Sequence, residues 1–130
     1  MLVVVAIKNR ETTADEMLPA VAQGAIGIEA RANDATARTL TAPLNCAPTT
    51  TRLSAERALL ARLDGSCQTP IAALATLTGD TLSLTAQILS PDGTAAFTDH
   101  ATGPVGSAEA IGTALAETLL ATAGEGFLQR

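Results

Sequence analysis

The residue of this chain best suited to chemistry is Cys67, one of two cysteines among 130 residues. It lies in residues 63–71, which read Leu-Asp-Gly-Ser-Cys-Gln-Thr-Pro-Ile, between a helix pattern and a strand pattern. Loops held on both sides by rigid elements often present reactive groups, and a cysteine thiolate is a strong nucleophile. Free cysteines are also among the most buried residue types. The thiol alone therefore leaves two interpretations open, a reactive loop residue and an inert core residue.

Other kinds of active site find no support in the residue types present. His100 is the only histidine and no Gly-x-Ser-x-Gly elbow accompanies it, so we expect a surface residue at a strand end. Two cysteines and one histidine, without Cys-x-x-Cys or His-x-x-x-His spacing, do not predict a metal site. Residues 23–27 contain two glycines but no lysine and no following helix signal, which argues against a phosphate loop.

The composition is that of an acidic chain with an aliphatic core. Hydrophobic residues make up 47% of the chain but aromatic residues only 2%, so Leu, Ile, Val and Ala must fill the core. The net charge of -5 argues against nucleic acid or an anionic membrane surface as a partner. Residues 1–7 are apolar, but they lack the features of a targeting segment and are too short to span a bilayer. We therefore expect a cytoplasmic protein with reduced thiols.

Sequence patterns divide the chain into an N-terminal segment, residues 1–32, and a self-contained domain, residues 33–130. In the segment, Ile26, Ile28 and Ala30 alternate with Gly27 and Glu29, which predicts an orphan strand that lacks its sheet. The domain is predicted to be α+β, with a small three-stranded antiparallel sheet and helices packed on one face.

Local signals predict the order of elements in the domain. Asp34 caps a short helix that Pro43 stops, and Pro48 begins a longer helix that Gly65 ends. Strand patterns cover residues 71–78, 81–89 and 94–101, and a last helix runs from Ser107 to Gly124. The longer helix is expected to bury Leu53, Ala58, Leu59, Leu60 and Leu63, and to leave Arg52, Glu56 and Arg62 for solvent or pairing. The last helix is expected to bury Ile111, Leu115, Leu119, Leu120 and Ala123.

Several separate motifs resemble one protein family. They are Leu-Pro-Ala-Val-Ala-Gln-Gly-Ala-Ile-Gly-Ile-Glu at residues 18–29, Leu-Asn at 44–45, Ala-Glu-Arg-Ala-Leu-Leu at 55–60, the Cys67 loop, and Ser-Pro-Asp-Gly at 90–93. In order and spacing they are similar to the C-terminal part of porphobilinogen deaminase, also called hydroxymethylbilane synthase. The resemblance runs from about residue 17 to the C-terminus, and it leaves the first sixteen residues unmatched.

This resemblance implies a transferase of tetrapyrrole and heme biosynthesis. In that family the loop cysteine carries a dipyrromethane cofactor through a thioether, and four porphobilinogen units are added in turn, with release of ammonia, before the tetrapyrrole hydroxymethylbilane is hydrolysed off. Cys67 stands at the attachment position, and Gln23 with Gly24 matches a stretch that lines the catalytic cleft. The alternative for Gln23 is a polar side chain that satisfies nearby backbone groups. The resemblance places no catalytic residue in this chain.

The chain also departs from the family pattern. Cys46 stands where a histidine is common, and we expect it to be a buried or half-buried thiol without a catalytic role. Ser66 replaces a glycine, and Ala30 stands where a cysteine is frequent. The N-terminal domains, with their catalytic aspartate and arginine-rich cleft, find no counterpart in the chain. Its eight basic residues against thirteen acidic ones do not make a cleft for a polyanionic substrate.

We therefore expect an enzyme fragment that meets porphobilinogen only together with the missing N-terminal domains. The alternative is a stand-alone or self-associating binding domain of the same descent, without catalytic activity, whose exposed strand pairs with another copy. A generic α+β domain unrelated to tetrapyrrole synthesis would require the agreement of several motifs to be accidental.

Overall fold

The computed structural model describes residues 13–14, 16–64, 69–124 and 126–129. Its centre is an antiparallel sheet with the strand order β1-β2-β3, formed by β1 (Ile71–Thr78), β2 (Thr81–Leu89) and β3 (Ala96–Pro104). The β1–β2 hairpin turns at Gly79, whose φ of 56° is one that glycine adopts without steric cost. The β2–β3 turn closes through the N–H of Gly93, which donates to the carbonyl of Ser90 at 2.8 Å.

Three helices accompany the sheet among the described residues: α1 (Ala35–Thr41), α2 (Ala47–Arg62) and α3 (Ala108–Ala123). The Oδ1 atom of Asp34 accepts the N–H of Ala37 at 2.9 Å and so caps α1. Pro48 stands in the first turn of α2, where its missing N–H costs nothing. Gly124 ends α3 at a φ of 85°. Short 3-10 turns follow α1 at Ala42–Leu44, precede α3 at Val105–Ser107, and end the described chain at Phe127–Gln129.

One face of the sheet is covered by α2 and α3, and the core lies between the two layers. Alternation along β2 buries Leu82, Leu84, Ala86 and Ile88 completely, because successive side chains point to opposite faces of a sheet. The helices contribute Ala55, Leu59, Leu63, Ala108, Ile111, Leu115, Ala116 and Leu119, and β1 contributes Ile71, Ala73 and Ala75.

The two long helices cross closely at Gly112. A Cβ atom on this residue would lie 2.1 Å from the carbonyl oxygen of Ala55 and 3.0 Å from the backbone nitrogen of Leu59. Only a residue without a side chain lets the two backbones approach this far. Farther along the same pair of helices, Nε of Arg62 lies 3.2 Å from Oε1 of Glu117, in an exposed ion pair.

The predicted α+β class, with its three-stranded antiparallel sheet and helices on one face, is confirmed. The third strand was placed too early, since β3 begins at Ala96 and continues to Pro104. The buried face of α2 also differs: Ala55 and Glu56 are buried with Leu59, whereas Leu53, Ala58 and Leu60 are only half-buried. The close crossing at Gly112 explains why the buried face differs from the predicted one, because the side of α2 that carries Ala55 and Leu59 faces α3.

The N-terminal segment adds no strand to this sheet beyond one isolated antiparallel bridge, between Ala20 and Ala72. Residues 25–31 form no hydrogen-bonded strand with any described residue, and Ile26 is 96% exposed. No helix in the described ranges is both long enough and apolar enough to cross a membrane.

Candidate functional site

Cys67 itself lies outside the described residues, in the gap at 65–68, but both stems of its loop are described. On the α2 side, Leu63 is buried, and Asp64 adopts a φ of 52°, a left-handed conformation that aspartate tolerates better than most residues. This residue ends the helical path one position before the predicted stop at Gly65. On the β1 side, the carbonyl of Thr69 accepts the N–H of Ile71 at 2.8 Å, and the carbonyl of Pro70 accepts the N–H of Leu89 at 3.0 Å. The two stems are therefore held by the core and the sheet.

The C-terminal 3-10 turn, Phe127–Gln129, lies next to these stems. Phe127 and Leu128 line a cavity of about 240 Å³ together with Leu63, Asp64 and Thr69. The ring of Phe127 meets Phe97 of β3 edge to face, with centroids 5.1 Å apart. This contact ties the C-terminal turn to the sheet, since an edge-to-face pair adds to the hydrophobic burial of both rings.

Gln23 and Gly24 lie in a compact turn, residues 20–25, that packs against the beginning of β1. The N–H of Gln23 donates to the carbonyl of Ala20 at 3.0 Å, and the N–H of Ala73 donates to the carbonyl of Pro19, also at 3.0 Å. The side chain of Gln23 closes the turn, because its Oε1 accepts the N–H of Ala20 at 3.1 Å. The interpretation that Gln23 satisfies nearby backbone is thus confirmed for its oxygen, while the described hydrogen bonds leave its amino group unused.

The turn contains a residue in an uncommon conformation. Ala22 has a φ of 63°, and Gly24 follows at 82°. The left-handed conformation costs a residue with a Cβ roughly 1–2 kcal/mol, whereas glycine adopts it freely. The contacts around Ala22 must therefore outweigh this cost.

Glu56 supplies the contact that holds this turn. Its side chain is buried within α2, with 6% of the residue exposed. One carboxylate oxygen accepts the N–H of Ala22 at 2.8 Å, and the other accepts the N–H of Ala75 in β1 at 2.9 Å. Both carboxylate oxygens of Glu56 therefore accept hydrogen bonds. Its side chain links α2 to β1 and to the turn.

Glu56 was expected to be left for solvent or pairing; exposure to solvent was wrong, because the residue is buried, and its partners are two backbone amides. A signal for its burial was present in the sequence. Glu56 precedes Leu59 by three residues and Leu63 by seven, which places it on their side of the helix. The charge of Glu56 indicated exposure, whereas its position on the helix indicated burial.

Cys46 was expected to be buried or half-buried, and this was wrong. It is the N-cap residue of α2 and is exposed, because a side chain at the cap lies off the end of the helix. The hydroxyl of Thr49 donates to Sγ at 3.2 Å. This hydrogen bond, the backbone N–H of Thr49 and the nearby charge of Arg52 lower the pKa of the Cys46 thiol. His100 is a surface residue as predicted, although it lies within β3, opposite Thr85, rather than at a strand end.

The structure thus brings the Gln23 turn and one stem of the Cys67 loop to the same place. Ala20 pairs with Ala72, and the stem residues Thr69 and Pro70 directly precede β1. Of the described arginines, Arg62 is engaged by Glu117, and Nε of Arg52 donates to the carbonyl of Pro48 at 3.3 Å. Among the described residues, no group of three His, Cys, Asp or Glu side chains could hold a metal ion.

Comparison with known proteins adds an independent finding. Residues 50–121 match the model of the family described as porphobilinogen deaminase, C-terminal domain. A curated porphobilinogen deaminase of Paracoccus denitrificans (strain Pd 1222) is 55% identical over 105 residues, which is 81% of this chain and 34% of that protein. The chain therefore spans about a third of the length of this relative.

Proposed function

The chain belongs to the porphobilinogen deaminase C-terminal domain family, and from this we propose that it carries the dipyrromethane cofactor of such an enzyme on Cys67. One observation carries the proposal. The family match covers residues 50–121 and therefore both stems of the loop, and Cys67 is the only cysteine within those residues. Cys46 lies outside the match, at the exposed start of α2.

The described stems support the proposal. Leu63 and Ile71 are buried in the core, whereas Asp64, directly before the loop residues 65–68, is exposed to solvent. A thiolate is a soft nucleophile suited to a stable thioether with carbon. When bound, the dipyrromethane supplies the pyrrole end to which porphobilinogen units are joined.

Gln23 is proposed as the residue of this chain that faces the cleft. Its Oε1 is held by Ala20, which fixes the plane of the carboxamide and leaves the amino group as a donor. Such a donor suits the carboxylate groups of a pyrrole ring. Gly24, at a φ of 82°, lets the chain turn directly after it.

The rest of the enzyme must supply the catalytic acid and most of the positive charge. The chain contains eight basic and thirteen acidic residues, whereas polyanionic ligands are held by clusters of arginine. We propose that residues 1–32 connect to N-terminal domains not included in this chain, that residues 33–130 form the cofactor-attachment domain, and that the chain alone is inactive.

The test is the intact mass of the chain, isolated from cells that make porphobilinogen, before and after mixing with the N-terminal part of the Paracoccus denitrificans relative and porphobilinogen. We expect a mass increase of one dipyrromethane that maps to Cys67. Cys67→Ser should remain folded by circular dichroism and remain unmodified. The matched control, Cys46→Ser, should be modified as fully as the unaltered chain.

An unmodified chain under both conditions would contradict the proposal. The second candidate, a self-associating binding domain without catalytic activity, would then take its place. The observation that favours it is the exposure of Ile26 and Ile28, at 96% and 58%, in a segment without a partner strand among the described residues. Loss of helix in Cys67→Ser would instead identify Cys67 as a core residue.

A further inference from the structure

We propose that Glu56 is a positioning residue, whose carboxylate fixes the place of Gln23 beside the first residues of β1. The inference rests on the proposed function, because Gln23 is the group through which Glu56 acts on the reaction. Among the described residues, the hydrogen bonds of Glu56 go to two backbone amides, and the one at Ala22 directly precedes Gln23.

The first support is the pattern of hydrogen bonds. The two amides that Glu56 binds lie 34 and 19 residues away along the chain, at 2.8 and 2.9 Å. One belongs to the residue directly before Gln23, and the other to β1, three residues after the bridge at Ala72. A single rigid acceptor therefore sets the distance between the turn and the strand.

The second support is the conformation of Ala22. A φ of 63° is rarely adopted by a residue with a side chain, and it directs the N–H of Ala22 at Glu56 while the chain reverses into Gln23. Uncommon backbone conformations persist where the surroundings over-determine them, and they cluster at functional sites. Without the Glu56 carboxylate, the N–H of Ala22, the residue with the unfavourable φ, loses its hydrogen-bond partner.

The third support is that the other described hydrogen bonds of residues 21–25 are local, although the bridge from Ala20 to Ala72 and the packing of Val21 on the core also hold the beginning of the turn. Ala20 N–H binds the side chain of Gln23 itself, and the N–H of Ala25 reaches the carbonyl of Ala22 at a long 3.3 Å. The bond from Ala73 to the carbonyl of Pro19 fixes the chain before the turn, not the turn itself. Among the described hydrogen bonds of residues 21–25, the one from Ala22 to Glu56 is the one that ties them to a distant element of the fold.

The experiment compares Glu56→Gln with Glu117→Gln, an exposed glutamate on α3, in the full chain. A carboxamide has one acceptor and presents its amino group to the second amide, so it cannot bind both N–H groups. Amide hydrogen exchange by NMR should accelerate at Ala22 by about 10- to 100-fold, as expected for the loss of a hydrogen bond to a charged group. Glu117→Gln should leave exchange at Ala22 unchanged.

The same variants are then combined with the N-terminal part of the Paracoccus denitrificans relative. Glu56→Gln should acquire the dipyrromethane as fully as the unaltered chain, with kcat for porphobilinogen consumption lowered roughly tenfold and KM unchanged, because small displacements of a positioning group reduce the rate. Glu117→Gln should have the kcat of the unaltered chain.

Fast exchange at Ala22 with full kcat would overturn the positioning role, and slow exchange would show that Glu56 does not hold the turn. If the unaltered chain does not acquire the cofactor, the proposed function is overturned, and so is the effect of Glu56 on the reaction. Exchange at Ala22 would still show whether Glu56 forms the hydrogen bond.

If Glu56→Gln unfolds, the amide of Ala22 is replaced by an ester through lactic acid at that position. This removes one donor and leaves Glu56 and β1 intact. The same loss of kcat is expected, and an ester variant with full kcat overturns the proposal.

Discussion

At the scale of single residues, Asp92 closes the β2–β3 turn through several donors. Its Oδ1 accepts the hydroxyl of Ser90 at 2.5 Å, the N–H of Thr94 at 3.1 Å and the hydroxyl of Thr94 at 2.8 Å. The hydrogen bond from Ser90, followed by those from Thr94, lowers the pKa of Asp92 to about 2. The charged carboxylate is therefore the form that the turn stabilises.

This shift predicts how the turn responds to acid. Because the folded pKa of about 2 lies below the ordinary value of 3.8, the contribution of Asp92 is complete above pH 4 and is lost as the pH falls toward 2. A carboxyl-carbon NMR titration should give a midpoint near 2, and Asp92→Asn should flatten the pH dependence of unfolding between pH 4 and 2. A midpoint near 4 would contradict the network.

The residues of the candidate site were only partly predictable, and the reason is distance along the chain. Ser-Pro-Asp-Gly is a local turn signal, and the hydrogen bonds of the β2–β3 turn do join neighbours in sequence. The place of Gln23 beside β1 was not predicted, since it depends on Glu56, 34 residues from Ala22. No local pattern states that a charged residue within a helix will bind two amides from elsewhere in the chain.

At the scale of elements, the crossing of α2 and α3 predicts an unusual effect of alanine. In an isolated helix, replacing glycine with alanine stabilises the helix by about 1 kcal/mol. Gly112→Ala should instead lower the free energy of unfolding by roughly 3 kcal/mol or more, because its Cβ would lie 2.1 Å from the carbonyl oxygen of Ala55. Urea denaturation followed by circular dichroism measures the change.

The control for this variant is Gly106→Ala, since nothing lies within 4 Å of an added Cβ at Gly106 and its φ is not left-handed. We expect a change within about 0.5 kcal/mol. Equal effects at the two positions would mean that the helices can separate at no cost, and that the crossing does not set the buried face of α2.

The elements themselves were predicted well where periodicity and turn residues agree. The strand patterns at residues 71–78 and 81–89 are local, and both strands were placed correctly. The buried face of α2 was placed wrongly because apolar character alone favours Leu53 and Leu60. The small residues Ala55 and Gly112 decide the contact, and this decision requires the partner helix.

At the scale of the whole molecule, the large exposed hydrophobic side chains of the described residues fall on the N-terminal part, α1 and the 3-10 turn after it: Met17, Ile26, Ile28, Leu40 and Leu44. Under the proposed function, the segment around Ile26 contacts the N-terminal domains. Such contacts would explain why residues 26 and 28 are isoleucines although both are exposed in the chain alone. An apolar side chain is stabilising only when it is buried.

Ile26→Asp tests this assignment. Because Ile26 is 96% exposed, the substitution should change the free energy of unfolding of the chain by less than about 0.5 kcal/mol. It should weaken association with the N-terminal part of the Paracoccus denitrificans relative by about tenfold or more, since a charge would enter an apolar contact. Analytical ultracentrifugation of the mixture measures the affinity.

Ala121→Asp, on the exposed side of α3, is the matched control and should leave the affinity unchanged. Concentration-dependent self-association of the unaltered chain that Ile26→Asp abolishes would favour the binding-domain alternative. The sequence predicted an orphan strand in this segment, and residues 25–31 form no hydrogen-bonded strand with any described residue.

The bonds at the edge of β1 have a consequence for aggregation. A sheet grows into a fibril by accepting new strands at both of its open edges. In this chain the outward amides of Ala73 and Ala75 are already taken, by the carbonyl of Pro19 and by the carboxylate of Glu56. The outer edge of β3 pairs with no described strand, so a strand of a neighbouring copy can add at β3 more readily than at the middle of β1.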